Sequence, residues 1–297
     1  MYDIIIVGAG PAGLTAALYA LRANKNILIL EAKSYGGQIL KANRVDNYPA
    51  MPGINGFDFA NSLYEQVKSL GGNIVYETVV KVNEDKTVIT NKNTYKAKAV
   101  ILATGADHKK LNLENEINLI GKGVSYCATC DGNFFKGKDV AIIGGGNTAL
   151  EDAIYLADIV NKLYVIHRGE SFRGDEVLLN ELKTHNNVEF MLDSNVVKIN
   201  GNQILESIDV KDINDNITNI KISGLFIAVG QEPNNKLFTN IVDLDENGYF
   251  ISSDGLHTKV EGIYIAGDAR QKTLRQLTTA VGDGSIAATT AIREMMK

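Results

Sequence analysis

Apolar residues come in short bursts along this chain, separated by glycine-rich breaks. Residues 4–7 (Ile-Ile-Ile-Val) are apolar at every position, the pattern of a strand covered on both faces. A break comes next at Gly8-Ala9-Gly10-Pro11-Ala12-Gly13. Residues 14–22 are then alanine-rich and helical in period, and residues 26–31 form a second strand ending in Glu31. The same order returns as strand 139–143, break Gly144-Gly145-Gly146, helix 148–157 and strand 163–167. Two βαβ units are therefore expected. The remaining strands read as sheet edges or meanders: 73–82, 87–90 and 99–103, then 187–192, 196–199, 208–210 and 217–222. Residues 99–103, 225–229 and 263–266 run into glycine (the last into Gly267-Asp268), where backbone can approach a ligand closely.

Two polar stretches, 107–116 and 231–236, read as linkers that bracket the second βαβ unit. The expected fold class is α/β, with two Rossmann-like three-layer nucleotide-binding domains, the second inserted into the first. The boundaries read as 1–110 plus 239–297 for the outer domain and 111–238 for the inner.

Composition narrows the function classes. The chain has 297 residues, 45% of them apolar and 22% charged, with a formal net charge of −5. That balance argues against nucleic acid as a partner, since phosphate binding wants a basic face. No run approaches the roughly 18 apolar residues of a membrane span. The first apolar run lacks a basic lead and ends in glycine, so it reads as a buried strand and not a signal peptide. The cytoplasm is the default location. Only two cysteines are present, Cys127 and Cys130, too few for a disulfide scaffold. The four histidines supply no companion pair for a zinc site, and no metal is expected.

The two glycine breaks differ in the residues downstream of them. A G-x-G-x-x-G turn between strand and helix turns backbone N–H groups and the helix N-terminus toward a pyrophosphate. Glu31 stands 23 residues after Gly8, close to the roughly 20 expected for a carboxylate on a ribose hydroxyl. The second turn, Gly144-Gly145-Gly146-Asn147-Thr148-Ala149, matches the variant ending in alanine. The same count from Gly144 reaches His167, with Arg168 next and Arg173 beyond. Guanidinium groups there bind a 2′-phosphate that a carboxylate would repel. The first turn therefore suits an unphosphorylated adenosine and the second suits NADPH.

Between the turns lies Cys127-Ala128-Thr129-Cys130-Asp131. A Cys-x-x-Cys pair can bridge if the segment turns, as at a helix N-terminus. One thiolate attacks and the other sulfur leaves. Asp131 has two readings, a carrier of protons for the sulfurs and an N-cap for the residues after it. A flavin can take hydride from a nicotinamide and reduce sulfur in separate steps. That places FAD on the first turn and NADPH on the second.

These residues resemble the low-molecular-weight, bacterial-type thioredoxin reductases over essentially the whole chain. The resemblance rests on GAGPAG at Gly8–Gly13, Gly36-Gly37-Gln38, Asn47-Tyr48-Pro49, Val124-Ser125-Tyr126 leading into CATCDG, GGGNTALEDA, Ala266-Gly267-Asp268 and Arg275-Gln276. It implies that Cys130 receives electrons from the flavin, that Cys127 attacks the disulfide of thioredoxin or a thioredoxin-like protein, and that Asp131 donates protons. FAD would lie on Gly8, Gly10, Pro11, Ala12, Gly13, Glu31, Gly36, Gly37, Gln38, Asn47, Gly267, Asp268, Arg275 and Gln276. NADPH would lie on Gly144, Gly146, Asn147, Thr148, Ala149, Glu151, His167, Arg168 and Arg173. A homodimer is implied, with domains that rotate about the polar linkers.

Two departures stand out. The family has adjacent arginines after the histidine, and here Gly169 replaces the second, which weakens the expected preference for NADPH. Residues 43–46 (Asn-Arg-Val-Asp) lack the family's usual glutamate. Competing readings are a flavin-dependent dithiol oxidase or reductase with another partner, and a non-catalytic flavin-binding sensor. A ferredoxin-driven relative would lose the second glycine turn. A ferredoxin–NADP reductase would lack the cysteines. A peroxide-linked reductase would carry a further dithiol domain ahead of the first strand.

Overall fold

In a computed structural model of the chain, which describes residues 1–42, 45 and 47–297, Ile4, Ile5, Ile6 and Val7 are all buried in strand Tyr2–Val7. The family difference at Asn43, Arg44 and Asp46 lies outside the described residues. Two compact units form, Met1–Asp107 with Glu232–Lys297, and His108–Gln231.

In the first unit, Tyr2–Val7 lies parallel between Ile27–Glu31 and Thr94–Leu102. Ile74–Tyr76 extends the sheet on one side and Ile263–Ile265 on the other, again in parallel. Alternation of side chains sends Ile4 and Ile6 to one face and Ile5 and Val7 to the other. The first face is covered by helices Pro11–Arg22 and Leu277–Glu294, through Leu14, Ala16, Ala17, Ala287, Ala288 and Ala291. The opposite face packs on Val82, Val88, Phe238 and Phe250. Each large aliphatic side chain so covered contributes about 1.5–3 kcal/mol of burial.

The second unit has a five-stranded parallel sheet in the order Val188–Met191, Lys162–Ile166, Asp139–Ile143, Gly224–Ile227, Val124–Ser125. Helices Ala128–Asp131, Asn147–Ala157 and Glu176–Leu182 pack on one face around Ile142, Leu150, Ala153 and Phe226. On the other face lies an antiparallel sheet of Asn195–Asn200, Ser207–Lys211 and Ile217–Lys221. Among the described residues no helix is long and apolar enough to cross a membrane.

Two sequence expectations are corrected. Residues 99–103 do not form a sheet edge. They belong to Thr94–Leu102, whose first half pairs antiparallel with Thr87–Thr90 and whose second half sits between two parallel strands. Residues 225–227 fall in strand Gly224–Ile227, which also lies between two parallel partners. Residues 73–82 do not run as one strand but split into Ile74–Tyr76 and Val79–Val82. The break is at Glu77, whose carboxylate is drawn in by Thr90 (2.6 Å), Asn93 (2.6 Å) and Tyr95 (3.2 Å).

Candidate active site

Strand Val124–Ser125 delivers the chain from the sheet to Cys127, which stands in extended conformation at the start of the one-turn helix Ala128–Asp131. That turn brings the sulfurs together, and Cys127 and Cys130 are joined as a disulfide with Cα atoms 5.3 Å apart. Asp131 closes the turn. Its N–H donates to the Cys127 carbonyl at 3.1 Å. Its carboxylate accepts from the Ser125 hydroxyl at 2.6 Å, and the same Ser125 oxygen accepts the Cys127 N–H at 3.0 Å. Burial pushes the Asp131 carboxyl above its ordinary range, and the Ser125 hydrogen bond offsets part of that rise. The capping reading of Asp131 is corrected: the next turn, Gly132–Phe135, receives no hydrogen bond from its side chain. The buried Ser125 hydroxyl satisfies the carboxylate instead.

The turn packs against helix Asn147–Ala157, and the space beside Gly132 is filled by Tyr155, Leu156 and Ile159. On that helix Asp152 is pushed up to about 7, first by burial and then by the negative charge of Glu151. A carboxyl whose folded pKa is raised keeps its proton in the native state after the unfolded chain has lost it. The unfolded state then binds fewer protons, so stability falls as pH rises from about 4 to about 7. The loss attributable to this group is on the order of 4 kcal/mol at most. Asp152→Asn removes it. The gap between thermal midpoints measured at pH 5 and pH 8 is expected to be narrower in the variant than in the parent, and equal gaps would refute the assignment.

Helix Asn147–Ala157 starts at Gly146 with no side-chain cap and no acid in its first turn, so its backbone donors are open to an anion. A methyl group added at Gly146 would meet nothing within 4 Å. The loop after strand Lys162–Ile166 docks on this turn. The N–H groups of Arg173 and Gly174 both donate to the Gly145 carbonyl, at 2.7 and 3.0 Å. Asn147 is tied to Asp175 by two bonds, 2.9 and 2.7 Å. His167, Arg168, Gly169, Glu170, Ser171 and Arg173 line a depression at this place. His167 is buried and stacked on Phe172 at 5.2 Å. Burial first, then the charges of Arg173 and Arg168, lowers its pKa, so it is neutral at physiological pH. Thr148 and Glu151 are exposed on the same helix, whereas Ala149 is buried against the turn.

The first glycine turn is more closely pressed. Gly8 has φ +106°, and a side chain there would come within 2.3 Å of the Ala103 carbonyl oxygen. A side chain at Gly13 would come within 1.9 Å of the Gly8 oxygen. Gly10, by contrast, faces open space, and Pro11 opens the helix without a side-chain cap. Glu31 is fixed beside the turn, one oxygen accepting the Ala9 N–H and the other the Lys33 N–H, each at 2.8 Å. Gly36 donates to the Ala9 carbonyl at 2.8 Å, Gly37 lies against Gly10, and Gly267 lies against Ala12. Asn47 bonds Gln276 at 3.0 Å. Arg275 stacks 3.8 Å above Tyr249 and donates to the Asp268 carbonyl. Gln38 is directed to the Ala106 carbonyl and the Asp107 carboxylate.

Beside Asp268 the sequence reading missed a buried charge cluster. Asp283 accepts two bonds from Arg270 (2.9 and 2.8 Å), one from Lys272 (3.2 Å) and one from the Gly267 N–H (3.0 Å). Burial acts to raise the Asp283 carboxyl, and Arg270 with Lys272 outweighs it and holds the group below its ordinary range. The Asp268 Oδ1 atom is buried with no hydrogen bond; Lys272 Nζ is 3.1 Å away as an ion pair, outside hydrogen-bonding geometry. The spacing of Lys272 four residues after Asp268 was a usable signal. Ser125 and Glu170 were also missed.

A family model described as pyridine nucleotide-disulphide oxidoreductase matches residues 2–284. The thioredoxin reductase of Bacillus subtilis (strain 168) is 41% identical over 297 aligned residues, covering 97% of this chain and 93% of that one. The thioredoxin reductase of Mycoplasma genitalium is 39% identical, with 97% and 93% covered. The crystal structure of thioredoxin reductase from Streptococcus pyogenes MGAS5005 matches with a TM-score of 0.93 at 38% identity, over 100% of this chain and 98% of that one. The chain belongs to the pyridine nucleotide-disulphide oxidoreductases, and within them to the thioredoxin reductases.

Proposed function

We propose that this chain is an NADPH-dependent thioredoxin-disulfide reductase that uses FAD. The observation that carries the reading is the Cys127–Cys130 disulfide with a part-buried acid, Asp131, held beside it by Ser125. Four features support FAD on the first unit: the open backbone face at Gly10, the uncapped helix start at Pro11, the fixed Glu31 carboxylate and the unbonded Asp268 oxygen. A ribose would meet Glu31, and a ligand hydroxyl would satisfy Asp268. The set Gly8, Gly10, Pro11, Ala12, Gly13, Gly36, Gly37, Gln38, Asn47, Gly267, Arg275 and Gln276 would complete the binding surface. Bound flavin supplies hydride acceptance from a nicotinamide and reduction of sulfur.

On the second unit, Gly144, Gly146, Asn147, Thr148 and Ala149 would hold the NADPH pyrophosphate, with Glu151 toward the nicotinamide. Arg168 and Arg173 would bind the 2′-phosphate beside neutral His167. Cys127 attacks the client disulfide, a mixed disulfide forms, and Cys130 then displaces the reduced client by re-forming the bond to Cys127. Asp131 supplies protons to the sulfurs. The client is thioredoxin or a thioredoxin-like protein, and the working unit is a cytoplasmic homodimer.

The test is steady-state reduction of a thioredoxin with NADPH and NADH side by side. NADPH is expected to be preferred, and the preference to be modest because Gly169 supplies no guanidinium and Glu170 adds a carboxylate to the same depression. Gly169→Arg should raise the NADPH/NADH ratio of kcat/KM by about ten- to a hundredfold, the equivalent of one hydrogen bond to a charged group. Failure to reduce thioredoxin with either nucleotide by the flavin-loaded protein defeats the proposed function. A variant ratio no higher than the parent's defeats the assignment of this loop.

A further inference from the structure

We infer that Ser125 is a positioning residue that sets the protonation of Asp131 and the pose of Cys127 together. The inference rests on the reductase reading above, in which Asp131 gives protons to the sulfurs. Ser125 is 4% exposed, at the end of the edge strand that leads into the dithiol. Its oxygen has three partners: Asp131 Oδ2 at 2.6 Å, the Cys127 N–H at 3.0 Å and the Cys127 carbonyl at 3.3 Å. A hydroxyl has one proton to donate and two lone pairs to accept with. While Asp131 is ionised, the proton goes to the carboxylate in a charge-assisted bond. Once Asp131 is protonated, its O–H donates to the serine oxygen, and the serine proton turns to the Cys127 carbonyl. The hydroxyl therefore serves both states of the acid without a change in heavy-atom positions, and in both it keeps the Cys127 N–H.

Among the described residues, Ser125 is the polar group with a resolved action on this carboxyl. Helix Asn147–Ala157, which packs on the turn through Tyr155 and Leu156, also carries Glu151 and Asp152; Tyr126 is held by Glu116 on the lead-in segment, and Lys136 comes directly after Gly132–Phe135. Strand Gly224–Ile227, which pairs with Val124–Ser125, carries no titratable group. Only burial and Ser125 act on Asp131 to a resolved degree. Reduction of the Cys127–Cys130 bond takes two electrons, supplied by reduced nicotinamide through the flavin, and two protons. Asp131 gives one of these to the departing sulfur and regains it from solvent; the other arrives with the hydride that the nicotinamide would deliver. Burial raises its proton affinity, and the serine that orients the attacking cysteine's backbone holds that rise in check.

The test titrates Asp131 directly. The infrared carbonyl band of protonated Asp131, identified by its loss in Asp131→Asn, is followed against pH in the oxidised protein. In Ser125→Ala the midpoint is expected to rise by about one to two pH units, the loss of a charge-assisted hydrogen bond. Ser125→Thr should restore it, and the pH limb of kcat for thioredoxin reduction should move in the same direction by the same amount. Ser125→Gly serves as the second deletion if the alanine variant does not fold. An unmoved midpoint in a folded deletion variant, or one that threonine does not restore, overturns the inference. The band titration needs neither client nor nicotinamide, so it fails or succeeds apart from the reductase reading.

Discussion

Cys130→Ser is expected to abolish thioredoxin reduction, with a fall in kcat on the order of 10³ or more. The reason lies in the chemistry of the exchange. In the proposed mechanism Cys127 alone can attack a client disulfide, but release of the reduced client requires a second sulfur to attack the mixed disulfide at Cys127. A serine hydroxyl is hardly ionised at neutral pH and cannot do this. The side chain is nearly isosteric, and residue 130 lies in the middle of the one-turn helix Ala128–Asp131, whose backbone bond from the Asp131 N–H to the Cys127 carbonyl does not involve it. The fold and both glycine turns should therefore persist. NADPH should still bleach the flavin-loaded variant, and intact mass after mixing with oxidised thioredoxin should show a covalent adduct that dithiothreitol removes. Thioredoxin turnover at more than a few per cent of the parent rate would show that the two sulfurs do not work as a pair.

The parts of this site that were legible in the sequence are those set by neighbours in the chain. Strand Asp139–Ile143, its glycine turn and helix Asn147–Ala157 can be read from an apolar run, three glycines and a helical period. The dithiol is a local motif and needs no tertiary information. Helix Leu277–Glu294 was not legible, because its buried residues, apart from the ion-paired Asp283, are Ala280, Gly284, Ala287, Ala288 and Ala291. Such residues carry little hydrophobic signal. They are small because this helix crosses Pro11–Arg22 so closely that a methyl group on Gly284 would come within 2.2 Å of the Ala12 carbonyl oxygen. The double role of Thr94–Leu102 is equally hidden, since its partners lie at 2–7, 87–90 and 263–265 and pairing of that kind leaves no mark on one strand. Ser125 stands within a motif legible in the sequence, yet its bond to Asp131 depends on a turn that only the folded chain makes.

Asp131→Asn is expected to lower kcat for thioredoxin reduction by about 10²- to 10⁴-fold, the range for loss of a positioned general acid. Asparagine keeps the volume and its oxygen can still accept from Ser125, so thermal stability should change little and the loss should lie in kcat more than in KM for the client. The pH dependence separates proton transfer from packing. Burial holds the Asp131 carboxyl above its ordinary range, so the acid stays loaded to higher pH than a free aspartate would. In the parent, activity that depends on the loaded acid is complete below that raised pKa and falls as pH climbs through it. The amide has no proton to lose over this range, and the variant's profile should lack that limb. Asp152, the other carboxyl with a raised pKa on the packed helix, is the competing source of such a limb. It is separated by Asp152→Asn, which should keep the limb that Asp131→Asn removes. If Asp131→Asn retains kcat within about twofold and keeps the parent's pH profile, the carboxyl fills space beside the disulfide and the sulfurs draw their protons from water.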